Sequence, residues 1–352
     1  MTETERDEAA IVPPDVGPAL MRAGLPWFGP LRARLATMQD QGRLPHGLLL
    51  FGQPGAGQAE LGLWIAARLL CRGGAPEPCG GCADCRLFLA GSHPDFRWIG
   101  VASGKKEISI DQMRALSEAL SLRSYRSGAK VALIEPAEAM NIKSFNALLK
   151  TLEEPSADTF LLLATSRSDR VPRTIASRCM RQRVPLPETG AALAWLKESN
   201  PRAGWEGLLR LAHGAPFLAV EYADAGLENL DQQMQDALAA GLDGRMDIIG
   251  DARIWADHAP AARLFWLESW LTQNLKDACL SSDLVNNNRL PWLRPPGVET
   301  KIRAGYRLLD QLRDARRLVG GSLNTQLLFE GLLVSLAALA GSAGGKVQES
   351  LE

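Results

Sequence analysis

The sequence predicts an α/β domain, a parallel sheet covered by helices on both faces, followed by all-α regions. Three observations predict it. Short apolar runs alternate with helical patterns between about residues 45 and 187. A glycine-rich loop follows the first run, and beyond Pro187 the β-prone runs stop. Since 352 residues exceed one ordinary core, we expect two or three domains.

Most of the candidate strands are rich in apolar residues, as strands buried on both faces of a parallel sheet are. They cover residues 47–51, 95–99, 130–134, 159–164 and 181–185. Between them, apolar residues recur at helical spacing, for example at Ile110, Met113, Leu116 and Leu120. Beyond residue 187, three short helical stretches and then longer amphipathic ones predict two helical regions, with an Asn- and Pro-rich break near residues 286–296.

Residues 52–59, Gly-Gln-Pro-Gly-Ala-Gly-Gln-Ala, follow the first strand and precede a helical pattern. The phosphate-binding loop G-x-x-x-x-G-K-[ST] has this setting, and Gly52 and Gly57 occupy its glycine positions. Gln58 replaces the lysine that reaches the phosphates, and Ala59 replaces the hydroxyl that binds Mg²⁺. The sequence therefore predicts a nucleotide-binding scaffold that neither binds nor hydrolyses ATP.

The third strand ends in Glu135-Pro136-Ala-Glu138, where an ATPase would carry Asp-Glu. Pro136 occupies the place of the carboxylate that orients the attacking water, and proline has no group for that task. Two interpretations of Glu135 and Glu138 remain: a solvated strand end, or a residual approach of Glu135 to Mg²⁺.

Four of the six cysteines, Cys71, Cys79, Cys82 and Cys85, lie within fifteen residues. Two-residue spacings let neighbouring thiolates reach one tetrahedral ion, and four thiolates leave no open position for catalysis. The pattern predicts a structural zinc site. The alternative is a set of free cysteines in a loop.

Ser177-Arg178-Cys179 follows the fourth strand by a short segment. We expect Arg178 at the end of the sheet where nucleotides bind in parallel α/β folds. In a ring of subunits it would project into a neighbour's site as an arginine finger. The alternative is a surface arginine beside a buried cysteine.

Composition excludes some classes of function. The net charge of −1 argues against a dedicated nucleic-acid binder. A mildly basic region can face DNA or be a solvated face; it comprises Lys105, Lys106, Arg114, Arg123, Arg126 and Lys130. The acidic start is no signal peptide, and no apolar run is long enough to span a membrane. We expect a cytoplasmic protein with no membrane partner.

Together these residues resemble the delta-prime family of bacterial DNA polymerase III clamp-loader subunits, which are AAA+ proteins. The resemblance covers about residues 25–338. It runs in order through the loop and the four cysteines, and through further stretches: Leu44-Pro-His46, Gly91-Ser-His-Pro-Asp95, residues 146–155, Ser177-Arg-Cys179 and residues 320–330. By a weaker match, Phe217 stands where active relatives carry a lid arginine, and Thr165 at a polar sensor position.

The resemblance implies an architecture. It comprises a leader at 1–24, a RecA-like AAA+ domain at 25–187 with a zinc insertion at 71–85, a helical lid at 188–227, a helical collar at 228–340 and a tail at 341–352. It implies zinc on the four cysteines and Arg178 acting in trans.

The implied role is that of a non-hydrolysing, relatively rigid member of a pentameric ring, part of the DNA-directed DNA polymerase (nucleotidyltransferase) holoenzyme. The implied partners are the delta and tau/gamma subunits and, through the complex, the sliding beta clamp and primer-template DNA. Two alternatives remain open: a divergent but active AAA+ ATPase of the tau/gamma type, and a stand-alone zinc-dependent DNA-binding module.

Overall fold

The computed structural model describes residues 25–74, 76–201, 204–242, 245–280, 298–319 and 324–341. The expected leader, the Asn- and Pro-rich break and the tail beyond Gly341 lie outside these residues. The chain divides into two compact units, Met1–Ala225 and Gly226–Glu352.

The first unit contains a five-stranded parallel sheet, which confirms the predicted fold class. Its strands are β1 (Gly47–Phe51), β2 (Phe96–Ile99), β3 (Lys130–Ile134), β4 (Thr159–Thr165) and β5 (Met180–Arg183). Their order in the sheet is β2-β3-β4-β1-β5, with every pair parallel. All five predicted strands are present; β1 and β3 have the predicted ends, and the ends of the other three differ by at most two residues.

Helices connect the strands and cover both faces of the sheet. They are α1 (Gly29–Asp40), α2 (Gln58–Leu70), α3 (Ala83–Leu89), α4 (Ile110–Ser121), α5 (Ile142–Glu153) and α6 (Arg173–Ala176). Along β1, Leu48 and Leu50 belong to the core on one face and Leu49 to the core on the other. This alternation is the two-residue period of a strand, so the sheet separates two apolar cores.

Three short helices complete the first unit: α7 (Thr189–Ser199), α8 (Trp205–Leu211) and α9 (Pro216–Asp224). Trp205 on α8 is fully buried, and its indole N–H donates to the carbonyl of Asn200 at 2.8 Å. Phe217 on α9 belongs to the same core as Leu48 and Leu50 of the sheet. These helices therefore pack onto the sheet domain.

The second unit is helical over its described residues: α10 (Leu230–Leu242), α11 (Ile248–Asp257), α12 (Pro260–Leu280), α13 (Val298–Leu318) and α14 (Thr325–Gly341). α14 packs in the unit through Phe329 and Leu333, which are fully buried. Leu327 and Val334, on another face of α14, are 63% and 54% exposed. None of the described helices in either unit has the length and apolar character needed to cross a bilayer.

Candidate nucleotide site, metal centre and exposed arginine

The glycine-rich loop lies at the carboxyl end of β1 and leads directly into α2. Gly57 is the N-cap of α2, with a φ of 100°, and Gly55 has a φ of 71°. Both values lie in the left-handed region that glycine adopts most readily. Because the loop opens a helix, its amide groups lie where phosphate-binding loops hold anions. The backbone of a phosphate-binding loop is therefore present.

The first turn of α9 lies directly on this loop. A Cβ atom at Gly55 would lie 2.4 Å from the Cβ of Leu218, and one at Gly57 would lie 2.7 Å from Cε2 of Phe217. The Phe217 N–H donates to the carbonyl of Gly55 at 3.2 Å. Phe28, from the turn before α1, approaches Gly57 in the same way at 3.0 Å. The loop glycines are thus covered by side chains of the chain itself.

An aromatic cluster extends from this contact. The Phe217 ring lies 5.3 Å from that of Trp195 on α7, and Trp195 lies 5.8 Å from Trp27. Trp27 in turn meets Phe28 edge to face at 6.0 Å. Such tilted and edge-on arrangements are favourable for aromatic pairs. The cluster joins the residues before α1, helix α7 and helix α9 around the loop.

Gln58, which replaces the loop lysine, has only 7% of its surface exposed. Its side-chain amide donates to the carbonyl of Gln53 at 2.9 Å and to that of Thr165 at 3.4 Å. Ala59 packs against the apolar core. The Thr165 hydroxyl is buried and accepts the N–H of Arg167 at 2.9 Å. These side chains bind the backbone of their own loop and strand end.

Several glutamate side chains lie close to one another near the loop. Burial, and then the charges of Glu60, Glu138 and Glu221, raise the pKa of Glu135 to about 7. Glu138 accepts from the N–H and the hydroxyl of Ser166 at 3.1 and 2.7 Å. Among the described residues, nothing bonds its second oxygen, which is buried. Glu135 and Glu138 are both only partly exposed, so neither is a freely solvated carboxylate, although the approach of Glu135 to Mg²⁺ stays a prediction.

The four cysteines of the predicted metal site come together. Their sulfur atoms all lie within 4.8 Å of one another, and those of Cys79 and Cys85 are 3.9 Å apart. Zn–S bonds of about 2.3 Å place tetrahedral ligands about 3.8 Å apart. Four thiols in this arrangement fit a thiophilic metal ion with a closed coordination shell.

Backbone N–H groups support the thiolate forms. The N–H groups of Gly73 and Cys79 each donate to the Cys71 sulfur at 3.3 Å. Cys79 and Cys82 accept from Cys82 and Cys85 in the same way, also at 3.3 Å. Burial opposes ionisation of Cys82, but the N–H groups lower its pKa to about 6. A thiolate is the form that binds metal.

A charged network joins this module to the sheet domain. Asp84, between two of the cysteines, is 3% exposed and accepts from Nε of Arg126 at 2.8 Å. It also pairs with Arg72 at 3.4 Å and with His93 at 3.3 Å. The Arg126 hydrogen bond, followed by nearby guanidinium charge, lowers the pKa of Asp84 although burial opposes ionisation.

The basic region predicted beside DNA is partly used inside the fold. Arg126 pairs with Asp84. Lys130 is 6% exposed, and its ammonium donates to the carbonyl of Leu122 and the hydroxyl of Ser156, both at 2.7 Å. The prediction of one exposed basic face is therefore wrong for Lys130.

Arg178 lies at the amino end of the strands. It precedes β5, and its carbonyl lies 3.1 Å from where a Cβ of Gly47, the first residue of β1, would be. The glycine loop follows the last residue of β1. The expectation that Arg178 lies at the nucleotide end of the sheet is wrong, because the segment from β4 to β5 returns across the sheet before residue 178.

The Arg178 side chain is 37% exposed. Its Nη2 forms an ion pair with Oε1 of Glu153 at 2.5 Å, and its Nη1 donates to the carbonyl of Thr174 at 2.8 Å. Beside it, Cys179 is buried, and burial raises the pKa of its thiol to about 12. A partly exposed guanidinium with a charged partner is thus the main feature of this edge.

Several residues at these sites were missed by sequence reasoning. They are Phe28, Trp195, Leu218, Glu60, Glu221 and Glu153. Each is an ordinary aromatic, apolar or acidic residue in its segment, and its role depends on a contact distant in sequence. Only the aromatic run Trp27-Phe28 before α1 was a visible signal.

Comparison with known proteins gives one family. The family described as "DNA polymerase III, delta subunit" matches residues 30–187. The "DNA polymerase III subunit delta'" of Pseudomonas aeruginosa is 34% identical over 326 residues, which are 90% of this chain and 98% of that protein. The Escherichia coli protein of the same description is 32% identical over 261 residues, 71% of this chain and 76% of the relative.

A more distant relative carries a different description. The "DNA polymerase III subunit tau" of Salmonella typhimurium is 31% identical over 222 residues. That match takes in 60% of this chain and 34% of the tau subunit.

Proposed function

The chain belongs to the DNA polymerase III delta' family, and on that premise we propose that it is a clamp-loader subunit that does not hydrolyse ATP. In this proposal it assembles with delta and tau/gamma subunits into a ring that loads the sliding beta clamp onto primed DNA. It donates Arg178 to the ATP site of the neighbouring subunit. One observation carries the proposal: the chain's own loop is covered by α9, whereas Arg178 is exposed at the opposite edge of the sheet.

The loop supports the absence of ATP chemistry through its shape. Leu218 and Phe217 contact the two left-handed glycines, and Gln58 is hydrogen-bonded inward. Phosphate binding needs free loop amides and a cation at the position of residue 58. Because α9 covers the loop and no cation stands at that position, a triphosphate would have to displace a buried aromatic contact.

The charges beside the loop oppose nucleotide binding as well. Burial is the main cause of the raised pKa of Glu135, and the nearby carboxylates of Glu60, Glu138 and Glu221 raise it further. A polyphosphate would add like charge at this place. An active tau/gamma-type enzyme needs positive charge here, so we do not adopt that alternative.

The position of Arg178 favours action on another subunit. β1 spans five residues, which at about 3.3 Å per residue separate Arg178 from the chain's own loop by about 16 Å. An arginine side chain does not bridge that distance. A guanidinium that stabilises the charge on a transferred phosphoryl group can come from a neighbouring protein.

The exposed face of α14 supports assembly. Leu327, Gly331, Val334 and Ala338 are exposed, and their spacing places them on one side of the helix. The small residues permit close approach of another helix, and the two large ones offer apolar surface. We propose this face, defined by these four residues, as the contact with neighbouring subunits of the ring.

We propose zinc as the ion of the cysteine cluster, since four thiolates in tetrahedral arrangement are typical of structural zinc. Its role is to hold residues 71–85 in place. The Asp84 network then ties this insertion to Arg126, in the segment that precedes β3.

Equilibrium binding of ATP to the isolated chain tests the closed site. We expect no saturable binding up to about 1 mM ATP, the weak end of ordinary affinities. We also expect that the variant Gln58→Lys/Ala59→Thr does not restore tight binding while Phe217 remains. Turnover of ATP by the isolated chain would overturn the proposal in favour of an active ATPase.

A further inference from the structure

Arg178 is held in this chain by a carboxylate and a carbonyl group. Nη2 lies 2.5 Å from Oε1 of Glu153, and Nη1 donates to the carbonyl of Thr174 at 2.8 Å. The side chains of Arg178 and Glu153 are 37% and 48% exposed, so solvent reaches the pair. An anion brought by a neighbouring subunit would reach it as well.

The end of α5 attracts a cation for two reasons. Glu153 is the last residue of α5 and Glu154 is its C-cap, so two carboxylates lie at this terminus. The carbonyl end of a helix also carries partial negative charge. Of these two glutamates, the structure pairs Glu153 with Arg178.

The site that holds Arg178 is anchored to the sheet. The carbonyl of Leu152, one residue before Glu153, accepts a hydrogen bond from His46 Nε2 at 2.8 Å. Because His46 directly precedes β1, the last turn of α5 is fixed to the first strand. The partner of Arg178 therefore lies on a helix turn that is hydrogen-bonded to the start of β1, and this contact gives the Arg178 side chain a defined resting position.

We propose that Glu153 is a positioning residue that holds Arg178 in a resting position until a phosphate group of the neighbour's ATP replaces the carboxylate. The inference rests on the proposed function, in which Arg178 is donated to that ATP. A guanidinium paired with a carboxylate offers less charge to a phosphoryl group, and the carboxylate repels the phosphate. The ion pair must therefore separate before Arg178 acts.

The cost of separation is small. Solvent-exposed pairs of this kind contribute little, equivalent to about a two- to five-fold shift in equilibrium. The polyanionic phosphates of ATP compete well against one carboxylate for a guanidinium that binds phosphate in bidentate fashion. Glu153 thus weakens the binding of Arg178 to phosphate without preventing it. It also keeps the Arg178 side chain ordered while no nucleotide is present.

The test uses the full chain in a complex with delta and tau/gamma subunits and the variants Glu153→Gln, Glu154→Gln and Arg178→Ala. We expect Glu153→Gln to raise ATP hydrolysis about two- to five-fold at low ionic strength. The gain should shrink with added salt, because exposed charges are screened. Glu154→Gln removes a charge from the same helix end but no ion pair with Arg178, so it should change the rate less than Glu153→Gln does. Glu153→Gln combined with Arg178→Ala should show no gain over Arg178→Ala alone.

A second measurement does not depend on the complex. In the isolated chain, Glu153→Gln should shift the nitrogen resonances of the Arg178 guanidinium, and Glu154→Gln should not. An unaltered Arg178 signal overturns the resting position. So does an ATPase rate that Glu153→Gln lowers or leaves unchanged while Arg178→Ala still lowers it. If Arg178→Ala has no effect on the complex, the proposed donation of Arg178 fails first, and this inference fails with it.

Discussion

The two edges of the sheet differ in what they leave open to a ligand. At the carboxyl edge, Phe217 and Leu218 cover the glycine loop, and Gln58 binds the loop's own carbonyls. At the amino edge, Arg178 is partly exposed and is held by an ion pair and a hydrogen bond at the surface. The first edge resembles a protein core, and the second resembles a binding surface.

This difference shows why the glycines of such a loop can be needed whether or not a ligand binds. Gly55 and Gly57 have left-handed φ angles and lie too close to α9 for any side chain. Packing alone therefore requires both glycines, with no phosphate involved. A cation and a metal ligand are different, because only a bound nucleotide would require them, and positions 58 and 59 carry Gln and Ala instead.

The largest loss of stability is expected at the amino edge, when the proposed zinc ion is removed. The cysteine insertion connects α2 to β2 and therefore lies at this edge. Cys82→Ser removes one of four ligands, and we expect a loss of at least about 5 kcal/mol from the stability of the insertion. Structural zinc contributes roughly 10–16 kcal/mol in small zinc-dependent peptides. Unfolding followed by calorimetry, with metal content determined in parallel, measures the loss.

The matched control for this variant is Cys279→Ser, an exposed cysteine outside the cluster. It should retain both the metal and the unfolding transition. Should the chelated protein unfold like the untreated one, the cluster would have no structural role and the amino edge would depend on protein contacts alone.

The next effect is expected at the carboxyl edge. Phe217→Ala removes the ring that covers Gly57 and contacts Trp195, and we expect a loss of about 3–5 kcal/mol in unfolding free energy. Urea unfolding followed by tryptophan fluorescence gives the value. Leu122→Ala serves as the control, because Leu122 is 56% exposed and its truncation should cost less than about 0.5 kcal/mol. Equal effects of the two variants would mean that α9 does not cover the loop in solution.

At the carboxyl edge we also expect a smaller effect, a dependence of the unfolding free energy on pH. Glu135 has a pKa of about 7 in the folded chain, raised from the ordinary glutamate value of 4.5. Between these values the folded chain keeps a proton that the unfolded chain loses, so the stability falls as the pH rises through this window. Glu135→Gln cannot ionise and escapes this loss. It should match the parent chain at pH 4.5 and exceed it by about 3 kcal/mol above pH 7.

Urea unfolding of both chains at pH 4.5 and pH 8 checks this difference. A constant offset between the two chains at both pH values would mean that neither burial nor the neighbouring carboxylates raise the pKa of Glu135. The comparison of the two edges would then rest on shape and hydrogen bonding alone.

Much of the fold was predictable because it depends on local patterns. The five β-prone runs predicted strands whose ends are correct to within two residues, and the spacing of Ile110, Met113, Leu116 and Leu120 predicted a helix that the structure contains. The cysteine cluster was predictable for a similar reason, since short spacings keep its ligands together. The resemblance to a family implied the succession of domains along the chain, which stays a prediction.

Other features could not be predicted because they depend on contacts between distant segments. Nothing in the neighbourhood of Phe217 indicates that its ring lies on Gly57, about 160 positions earlier in the chain. The expected location of Arg178 was wrong because the sequence does not show where the segment between β4 and β5 crosses to the other edge. Glu135 is charged and follows a strand, which suggests exposure, and only the packed structure shows otherwise.

The proposal that Arg178 acts in the ATP site of a neighbouring subunit is tested by ATP hydrolysis in the complex of this chain with delta and tau/gamma subunits. The complex is prepared with the parent chain, with Arg178→Ala or with Arg173→Ala, an exposed arginine of the same segment. We expect Arg178→Ala to lower ATP hydrolysis at the adjoining site by about 10³-fold or more, as loss of an arginine finger does. Arg173→Ala should leave the rate of hydrolysis unchanged, and both variant complexes should assemble normally. Equal rates for the parent and Arg178→Ala complexes would mean that Arg178 does not act in the ATP site of a neighbouring subunit.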